Sequence, residues 1–376
     1  MGFRKGTLEG LVMFGSVYHG KRVLVTGHTG FKGSWLTLWL HAMGAKVSGY
    51  ALAPLHADDL KHFIPREVLE HEWIADLRDR EKLLEAIQTA KPDLIMHLAA
   101  QPLVRLSYKE PLETFSVNAW GTALLLETVR ETGCTAPVIV VTSDKCYLNQ
   151  NLGRPFSEDD PLGGHDVYSM SKAATELVVA AWHASFFARE PGRGRLASVR
   201  AGNVIGGGDY AADRILPDCT RAQVAGEPVI LRNPSATRPW QHVLECLSGY
   251  LNVGQHLFAD PGCKELLNLN FGPDPESERS VGEVVKAFFD TWPGRWEARP
   301  DPSAVPEATR LTLSHQKATR LFGWRPVWDF QKATQVTAEW YRVRHTQKDA
   351  DMLALTRQQI MDYAAQARSA GLPWTN

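Results

Sequence analysis

The chain of 376 residues alternates short apolar runs with longer segments in which apolar residues recur every three or four positions. Short apolar runs are typical of buried strands, and the wider spacing is typical of amphipathic helices. We predict strands over 21–27, 46–52, 72–76, 93–100, 137–143 and 196–200, with helices over 33–44, 79–90, 113–131 and 167–188. This alternation predicts βαβ units, and therefore an α/β fold with a Rossmann-like, doubly wound parallel sheet.

The pattern becomes less regular after residue 203, where glycines and prolines interrupt the apolar runs. We therefore predict a main domain over 21–203, to which later segments contribute, and a smaller C-terminal α/β substrate-binding region over 204–345. Residues 1–20 are predicted to form a loose lead into the first strand. Residues 346–376 are either an appended helix or a partly ordered tail.

Charge and composition argue against several classes of partner. The formal net charge of −1 gives no support for nucleic-acid binding, and no apolar run approaches the roughly 18 residues that span a membrane. The five cysteines form no CxxC pair, which argues against a disulfide framework and against a metal site. A reducing cytoplasm is the expected compartment. Cys146 is either a nucleophile or a buried, inert thiol.

Three glycines lie between the first predicted strand and the first predicted helix: Gly27, Gly30 and Gly33. Glycines at this place permit a tight turn and let the backbone approach the pyrophosphate of a dinucleotide. The acid expected about 20 residues on is absent, since 50–53 is Tyr-Ala-Leu-Ala, and no arginine replaces it, which favours NAD over NADP. Asp76 either faces the adenine or caps the next helix.

A second group is Tyr168 and Lys172, four residues apart on one predicted helix face. A nearby ammonium is expected to lower the pKa of a phenol, which otherwise lies near ~10. The pair therefore predicts a base that takes a proton from an alcohol while hydride leaves the same carbon.

The third group is Ser143-Asp144-Lys145, at the carboxyl end of the strand over 137–143, where doubly wound sheets bind ligands. Ser143 completes a hydroxyl–phenol–amine triad with Tyr168 and Lys172. Alcohol oxidation needs neither Asp144 nor Lys145, so an acid and a possible base there indicate that a second reaction follows.

Several longer phrases carry a family resemblance: VTGHTGFKGSWL, HLAAQPLVRLSY, TSDKCY, YSMSK, VRAGNVIGGGD and RPWQHVLE. Over about residues 21–345 the sequence resembles the extended short-chain dehydrogenases/reductases that act on nucleotide sugars, and within them the CDP-glucose 4,6-dehydratases. The related dTDP-glucose enzymes typically carry Thr-Asp-Glu where this chain has Ser143-Asp144-Lys145.

The resemblance implies a redox-neutral dehydration of CDP-glucose. Tyr168 takes the C4 hydroxyl proton while hydride passes to NAD⁺, water is lost across C5 and C6, and hydride returns to C6. Asp144 is the expected acid at C6. Lys145 either removes the C5 proton or only positions Asp144. A nucleotide-sugar 4-epimerase, or a dehydratase of another nucleotide hexose, is the alternative function.

The resemblance also implies contacts with both ligands. The expected cofactor contacts beyond the glycines, Tyr168 and Lys172 are Thr29, Phe31, Lys32, Asp76, Leu77, Leu98, Ala99 and Ala100. The expected substrate contacts are Gln101, Asn203, Arg214 and Arg238; the last is either a phosphate ligand or part of a surface salt bridge. The family further implies a homodimer or homotetramer, in which the helices after His97 and around Tyr168 pair between subunits.

Overall fold

The computed structural model describes residues 12–150, 153–190, 192, 195–299 and 311–376. Its strands are β1 (Arg22–Thr26), β2 (Lys46–Ala51), β3 (Leu69–Ile74), β4 (Leu94–His97), β5 (Val138–Val141), β6 (Leu196–Arg200), β7 (Val204–Ile205), β8 (Val229–Leu231), β9 (Thr237–Pro239), β10 (Gln241–His242), β11 (Leu267–Asn270), β12 (Glu278–Ser280) and β13 (Trp296–Ala298). Its α-helices are α1 (Phe31–Ala42), α2 (Arg80–Ala90), α3 (Val104–Lys109), α4 (Pro111–Phe115), α5 (Gly121–Glu131), α6 (Val167–Ser185), α7 (Ile215–Ala225), α8 (Val243–Ala259), α9 (Val281–Thr291), α10 (Gln316–Phe322), α11 (Phe330–Thr346) and α12 (Met352–Ser369).

The main sheet has the strand order β11-β6-β5-β4-β1-β2-β3, and each neighbouring pair is parallel. The order reverses beside β1, which pairs with β2 on one side and β4 on the other. At such a switch point the loops that leave two adjacent strands diverge and open a crevice. The predicted doubly wound parallel sheet is thus confirmed, and the crevice lies at the carboxyl ends of β1 and β4.

The two faces of the sheet carry separate cores because side chains alternate along each strand. Val23 and Val25 of β1 join a large cluster with α1, α8 and the C-terminal helices. Leu24 points the other way and joins a cluster with α2, α5 and α6. Buried on both faces, the central strands are continuously apolar, as parallel strands between two helical layers require.

The helix predicted over 113–131 is longer and less regular than its apolar pattern indicates. It consists of α4, a π-helical turn over Ser116–Trp120, and α5. Within the π turn, the Asn118 carbonyl oxygen accepts hydrogen bonds from the hydroxyls of Thr122 (2.7 Å) and Thr175 (3.1 Å). It therefore joins this helix to α6.

Both ends of the chain pack more tightly than the sequence predicts. Residues 1–11 lie outside the described residues, but Met13, Phe14 and Tyr18 are buried, so the described part of the predicted lead belongs to the core. The Phe14 ring stacks on Trp374 with centroids 5.1 Å apart. Of the two predictions for 346–376, the appended helix is correct, because α12 lies against α1 and α11.

Two elements from the range 204–345 belong to the main sheet or its core. α8 packs on the main sheet, and β11 extends that sheet beyond β6. The remaining strands form small two-stranded sheets, which pair β7 with β10, β9 with β12 and β8 with β13. Most of the proline-rich stretch over 297–310 lies outside the described residues.

Candidate active site

The glycine loop that follows β1 is closely packed at two of its three glycines. Gly27 has a φ of +76°, and a Cβ atom there would lie 2.7 Å from the backbone nitrogen of Ala99. A Cβ atom on Gly33 would lie 2.0 Å from the carbonyl oxygen of Gly27, whereas one on Gly30 would meet nothing nearer than 3.4 Å. The outer glycines are therefore needed for packing, and the middle one leaves space in front of α1.

That space faces the start of α1. Gly30 is the N-cap residue and offers no side-chain oxygen to the first turn of the helix. The N–H groups of a first helical turn carry partial positive charge and suit a phosphate group. The loop thus has the shape and the polarity expected for a dinucleotide pyrophosphate.

The other predicted cofactor residues of this loop also contact the protein. The Thr29 hydroxyl donates a hydrogen bond to the carbonyl oxygen of Leu52 (2.8 Å), and the Phe31 ring lies against Gly206. The Lys32 ammonium lies 5.9 Å from the centroid of the Tyr250 ring. These contacts fix the loop beside the crevice.

The predicted Ser143-Asp144-Lys145 group lies where β5 ends, within a short 3₁₀ turn over Asp144–Cys146. The Ser143 hydroxyl donates to the Asp144 carboxylate (2.8 Å) and accepts from the Lys145 backbone N–H (3.3 Å). Ser143 and Asp144 are buried, while Lys145 is half-buried. A carboxyl group beside a hydroxyl, shielded from water, is suited to proton transfer.

Tyr168 occupies the first turn of α6 and faces this group. Burial raises the pKa of Tyr168 to about 12, although the neighbouring Ser143 side chain and the Arg214 charge act to lower it. The predicted lowering of its pKa by Lys172 is therefore wrong for the protein alone, because loss of hydration outweighs the favourable charges. A further positive charge or hydrogen-bond donor at the site is needed before the phenol can act as a base near neutral pH.

Lys172 lies one helical turn further along α6, and its side chain is buried as well. Burial and the nearby Lys32 ammonium lower the pKa of Lys172 to about 8, while Glu176 acts to raise it. The structure therefore brings together the predicted Ser143, Asp144, Tyr168 and Lys172. Lys32 of α1 lies close enough to Lys172 to affect its pKa.

A buried ion pair that sequence reasoning missed lies beneath these residues. Arg200 of β6 donates to the Glu176 carboxylate through Nε (2.9 Å) and Nη2 (2.8 Å). The same carboxylate accepts from the hydroxyls of Thr142 and Ser198. Glu176 lies four residues after Lys172, so its helical spacing was the available signal. The pair ties α6 to β6, and the Thr142 contact ties the same carboxylate to the segment that leads from β5 to Ser143.

The predicted adenine-side residues have other roles in the structure. The Asp76 carboxylate binds the Arg78 guanidinium (2.9 and 2.6 Å), which lowers the pKa of Asp76, and Asp79 is the residue that caps α2. The predicted capping role of Asp76 is therefore wrong. The Leu77 side chain is buried against Gly121. Any cofactor contact by Leu77 must therefore come from its backbone.

The segment after β4 carries the predicted Leu98, Ala99, Ala100 and Gln101 to the edge of the crevice. The Ala99 backbone N–H donates to the Thr26 hydroxyl (3.3 Å), which holds the segment beside the glycine loop.

Gln101 is tied within the protein. Its side-chain amide donates to the Thr114 hydroxyl (2.7 Å), and its backbone N–H donates to the Asn118 side chain (2.8 Å). Asn118 in turn donates to the hydroxyl of Ser171, next to Lys172 (2.9 Å). Gln101 thus has a structural role that the sequence analysis did not predict.

The three remaining substrate predictions are placed differently. Arg214 precedes α7, binds Asp209 (2.9 Å) and lies close enough to Tyr168 for each charge to shift the pKa of the other. Asn203 follows β6 with a φ of +51°, and its carbonyl oxygen accepts from the Gln241 backbone N–H (3.3 Å). Arg238 lies on β9 and donates to the carbonyl oxygen of Thr237 (2.8 Å). Of these three residues, the structure brings Arg214 close to Tyr168.

Other chemical possibilities find less support. Cys146 is buried, and burial raises the pKa of its thiol well above the usual value, which favours the inert thiol over the nucleophile. Among the described residues no cluster of histidine, cysteine, aspartate and glutamate is arranged to hold a metal ion. Within the same residues, no helix combines the length and apolarity needed to cross a membrane.

Comparisons with known proteins agree with this geometry. Residues 24–337 match the family model of GDP-mannose 4,6 dehydratase. The chain is 45% identical over 351 residues to the CDP-glucose 4,6-dehydratase of Salmonella typhimurium strain LT2, with 92% of this chain and 97% of that enzyme aligned.

Two solved structures share the fold. A UDP-glucose 4-epimerase from Thermus thermophilus in complex with NAD gives a TM-score of 0.72 at 26% identity, covering 86% of this chain and 99% of that one. A dTDP-glucose 4,6-dehydratase from Bacillus anthracis strain Ames in complex with NAD gives 0.70 at 20% identity, covering 86% and 96%. The predicted α/β fold and family resemblance are confirmed: the chain belongs to the GDP-mannose 4,6 dehydratase family.

Proposed function

We propose that the protein converts CDP-glucose to CDP-4-keto-6-deoxyglucose, with NAD as its cofactor. The observation that carries the proposal is the buried Asp144 carboxyl beside Ser143, facing Tyr168. An enzyme that only oxidises and reduces C4 has no use for an acid there, whereas one that expels the C6 hydroxyl needs it. The 45% identity to a CDP-glucose 4,6-dehydratase supports the choice of nucleotide.

The crevice fits NAD. The space above Gly30 and the start of α1 suit the pyrophosphate, and the segment after β4 borders the place of the nicotinamide ring. When bound, NAD stores the hydride from C4 and later supplies it to C6. The absence of an acid and of an arginine over 50–53 leaves NAD as the expected dinucleotide.

Tyr168 performs the first proton transfer. Its phenol takes the proton of the C4 hydroxyl, while Ser143 lies between the phenol and the Asp144 carboxyl group. The Arg214 charge favours the phenolate in the protein alone and opposes the effect of burial on the pKa of Tyr168. We expect the Lys172 charge, one helical turn away, to act in the same direction once cofactor and substrate are bound. The result is a C4 ketone, which makes the C5 hydrogen acidic.

Asp144 and Lys145 perform the elimination. Lys145 removes the C5 proton, the electrons of the C5–H bond form the C5–C6 double bond, and the C6–O bond breaks. Asp144 gives its proton to the departing oxygen, so that water leaves. The sugar then regains hydride at C6 and a proton at C5, so the overall reaction is redox-neutral.

The test is turnover with CDP-, dTDP-, UDP- and GDP-glucose in the presence of NAD. Product is followed by the near-ultraviolet absorbance that a 4-keto-6-deoxy sugar shows in alkali. CDP-glucose labelled with deuterium at C4 is expected to carry the label on the product methyl group. Interconversion of glucose and galactose without methyl formation would replace the proposal by a 4-epimerase, and preference for another nucleotide would change the substrate.

The role of Lys145 has its own test. Lys145→Met is expected to abolish exchange of the C5 hydrogen with solvent while C4 oxidation persists. Exchange at the wild-type rate would show that Lys145 only positions Asp144. Lys332→Met, at another half-buried lysine, on α11, serves as the matched control.

We also propose that the chain forms a homodimer through α4, the π turn and α6. Leu112, Trp120 and Leu177 are 83%, 58% and 60% exposed, which is unusual for side chains of this size and apolarity. The exposed positions of α6 carry no charge: Met170, Leu177, Ala180, Ala181, Ala184 and Ser185. A second copy related by a two-fold axis would cover the same face on both subunits. Pairs of dimers would give the tetramer.

The proposed compartment is the cytoplasm. All five cysteines are free, as a reducing environment maintains them.

A further inference from the structure

Gly202, in the loop between β6 and β7, lies against the Asp144 carboxyl group. A Cβ atom placed on Gly202 would be 2.0 Å from Oδ2 of Asp144 and 2.2 Å from its Cγ. The backbone of Gly202 lies outside the left-handed region, so its conformation does not require glycine. The three heavy atoms nearest to such a Cβ atom all belong to the Asp144 carboxyl group, so this group is what excludes a side chain at Gly202.

The loop cannot easily retreat from the carboxyl group. The Gln241 side-chain amide donates to the carbonyl oxygens of Gly202 (3.0 Å) and Phe271 (3.0 Å). The Gln241 backbone N–H donates to the carbonyl oxygen of Asn203 (3.3 Å), the residue with a φ of +51°. Two residues earlier, the carbonyl oxygen of Arg200 accepts from the Phe271 backbone N–H (2.8 Å), so the loop is held before and after Gly202.

The carboxyl group is held from the opposite side by Ser143, whose hydroxyl donates to Oδ1 (2.8 Å). Oδ1 of Asp144 is therefore held by a hydrogen bond, and Oδ2 occupies the space that a side chain on Gly202 would fill. Asp144 is only 4% exposed, so few other positions are open to its side chain.

We infer that Gly202 is a positioning residue for the dehydration step: its missing side chain sets the place of the Asp144 carboxyl group relative to the C6 oxygen. The inference rests on the proposed function, because it assigns Asp144 to the loss of the C6 hydroxyl. It concerns the elimination alone, since Tyr168 takes the C4 proton from another element.

The test is Gly202→Ala. The atom that the new methyl group meets is the end of a side chain, so we expect the carboxyl group to move while the fold persists. A displacement of about 1 Å costs up to a hundredfold in rate, so we expect product formation to fall about tenfold to a hundredfold. We expect C4 oxidation, followed by the near-ultraviolet absorbance of the reduced cofactor in a single turnover, to stay within about threefold, since the Tyr168 proton transfer is separate.

The matched control is Gly262→Ala, at an exposed glycine whose Cβ atom would meet only a side-chain oxygen at 3.5 Å. It is expected to behave as wild type. A second comparison uses Asp144→Asn: adding Gly202→Ala to it is expected to cause no further loss, because the group that Gly202 positions no longer acts as an acid.

The outcomes separate the two proposals. If the wild-type protein makes no 4-keto-6-deoxy sugar, the proposed function fails. If the wild-type protein makes this sugar, three results would overturn the role of Gly202. Gly202→Ala could form product at the wild-type rate, it could slow C4 oxidation as much as product formation, or it could cause a further loss in the Asp144→Asn background. Gly202→Ala alone could fail to fold. In that case the double variant Gly202→Ala/Asp144→Ala is tested: if it folds, the contact between Gly202 and Asp144 is supported, and if it does not fold, the inference is overturned.

Discussion

Replacing Lys172 by methionine is expected to stabilise the protein and to abolish its activity. Methionine keeps most of the apolar stem of lysine and removes the ammonium. Burial and the nearby Lys32 lower the pKa of Lys172 from 10.5 to about 8, so the folded protein holds this charge at a cost. The difference corresponds to about 3 kcal/mol in the free energy of unfolding.

The pH dependence gives the sign of the effect. Below about pH 8 both the folded and the unfolded chains carry the proton on Lys172, so the full cost destabilises the folded state. Between about 8 and 10.5 the folded protein releases the proton first, and the cost shrinks. Lys172→Met is therefore expected to gain up to about 3 kcal/mol near neutral pH and to lose that advantage as the pH approaches 10.5.

The assay is urea unfolding followed by tryptophan fluorescence, without added cofactor, at neutral pH and near 10.5. Lys82→Met, on the exposed surface of α2, is the control and is expected to unfold at the same urea concentration as wild type at both pH values. A variant that is no more stable than wild type at neutral pH, or one whose gain is the same at both pH values, would refute the reasoning. Retained turnover would separately refute the role of Lys172 in the site.

Three further changes test other parts of the molecule. Arg200→Met is expected to lower the free energy of unfolding by about 3–5 kcal/mol in urea titration, because the Glu176 carboxylate stays buried without its counter-charge; a loss below about 1 kcal/mol would contradict this. Leu177→Asp is expected to give monomers in light scattering, whereas Val224→Asp, at an equally exposed site on α7, leaves the dimer intact; a Leu177→Asp dimer contradicts the proposed interface. Tyr168→Phe is expected to slow C4 oxidation by about a hundredfold or more with cofactor binding retained, and wild-type oxidation would exclude the phenol as base.

The main sheet and the proposed catalytic residues could be predicted from the sequence because both depend on local patterns. β1 and β5 are short apolar runs, and each ends in a group whose chemistry is visible in the sequence, the glycine loop or Ser143-Asp144-Lys145. Tyr168 and Lys172 lie one helical turn apart, so helix geometry alone brings them together.

What could not be predicted depends on contacts between distant parts of the chain. The Glu176–Arg200 pair joins α6 to β6. In the sequence, Glu176 looks like an acid on a helix surface and Arg200 like an isolated arginine in a strand, so nothing indicates that they pair. The balance of burial against charge that raises the pKa of Tyr168 depends on how deeply α6 packs. The space beside Gly202 is equally invisible, because its neighbour Asp144 is far away in the chain.

The π-helical turn over Ser116–Trp120 makes this stretch sensitive to length rather than to composition. The turn closes its hydrogen bonds over one residue more than an α turn, so it holds one extra residue between α4 and α5. Deleting a residue before Asn118 would therefore restore ordinary helical geometry and leave the two helices in about their present orientation, but it would turn the Asn118 side chain by about 100° relative to α4. Asn118 would then lose its contacts with Gln101 and Ser171, so working variants of this enzyme should keep the extra residue.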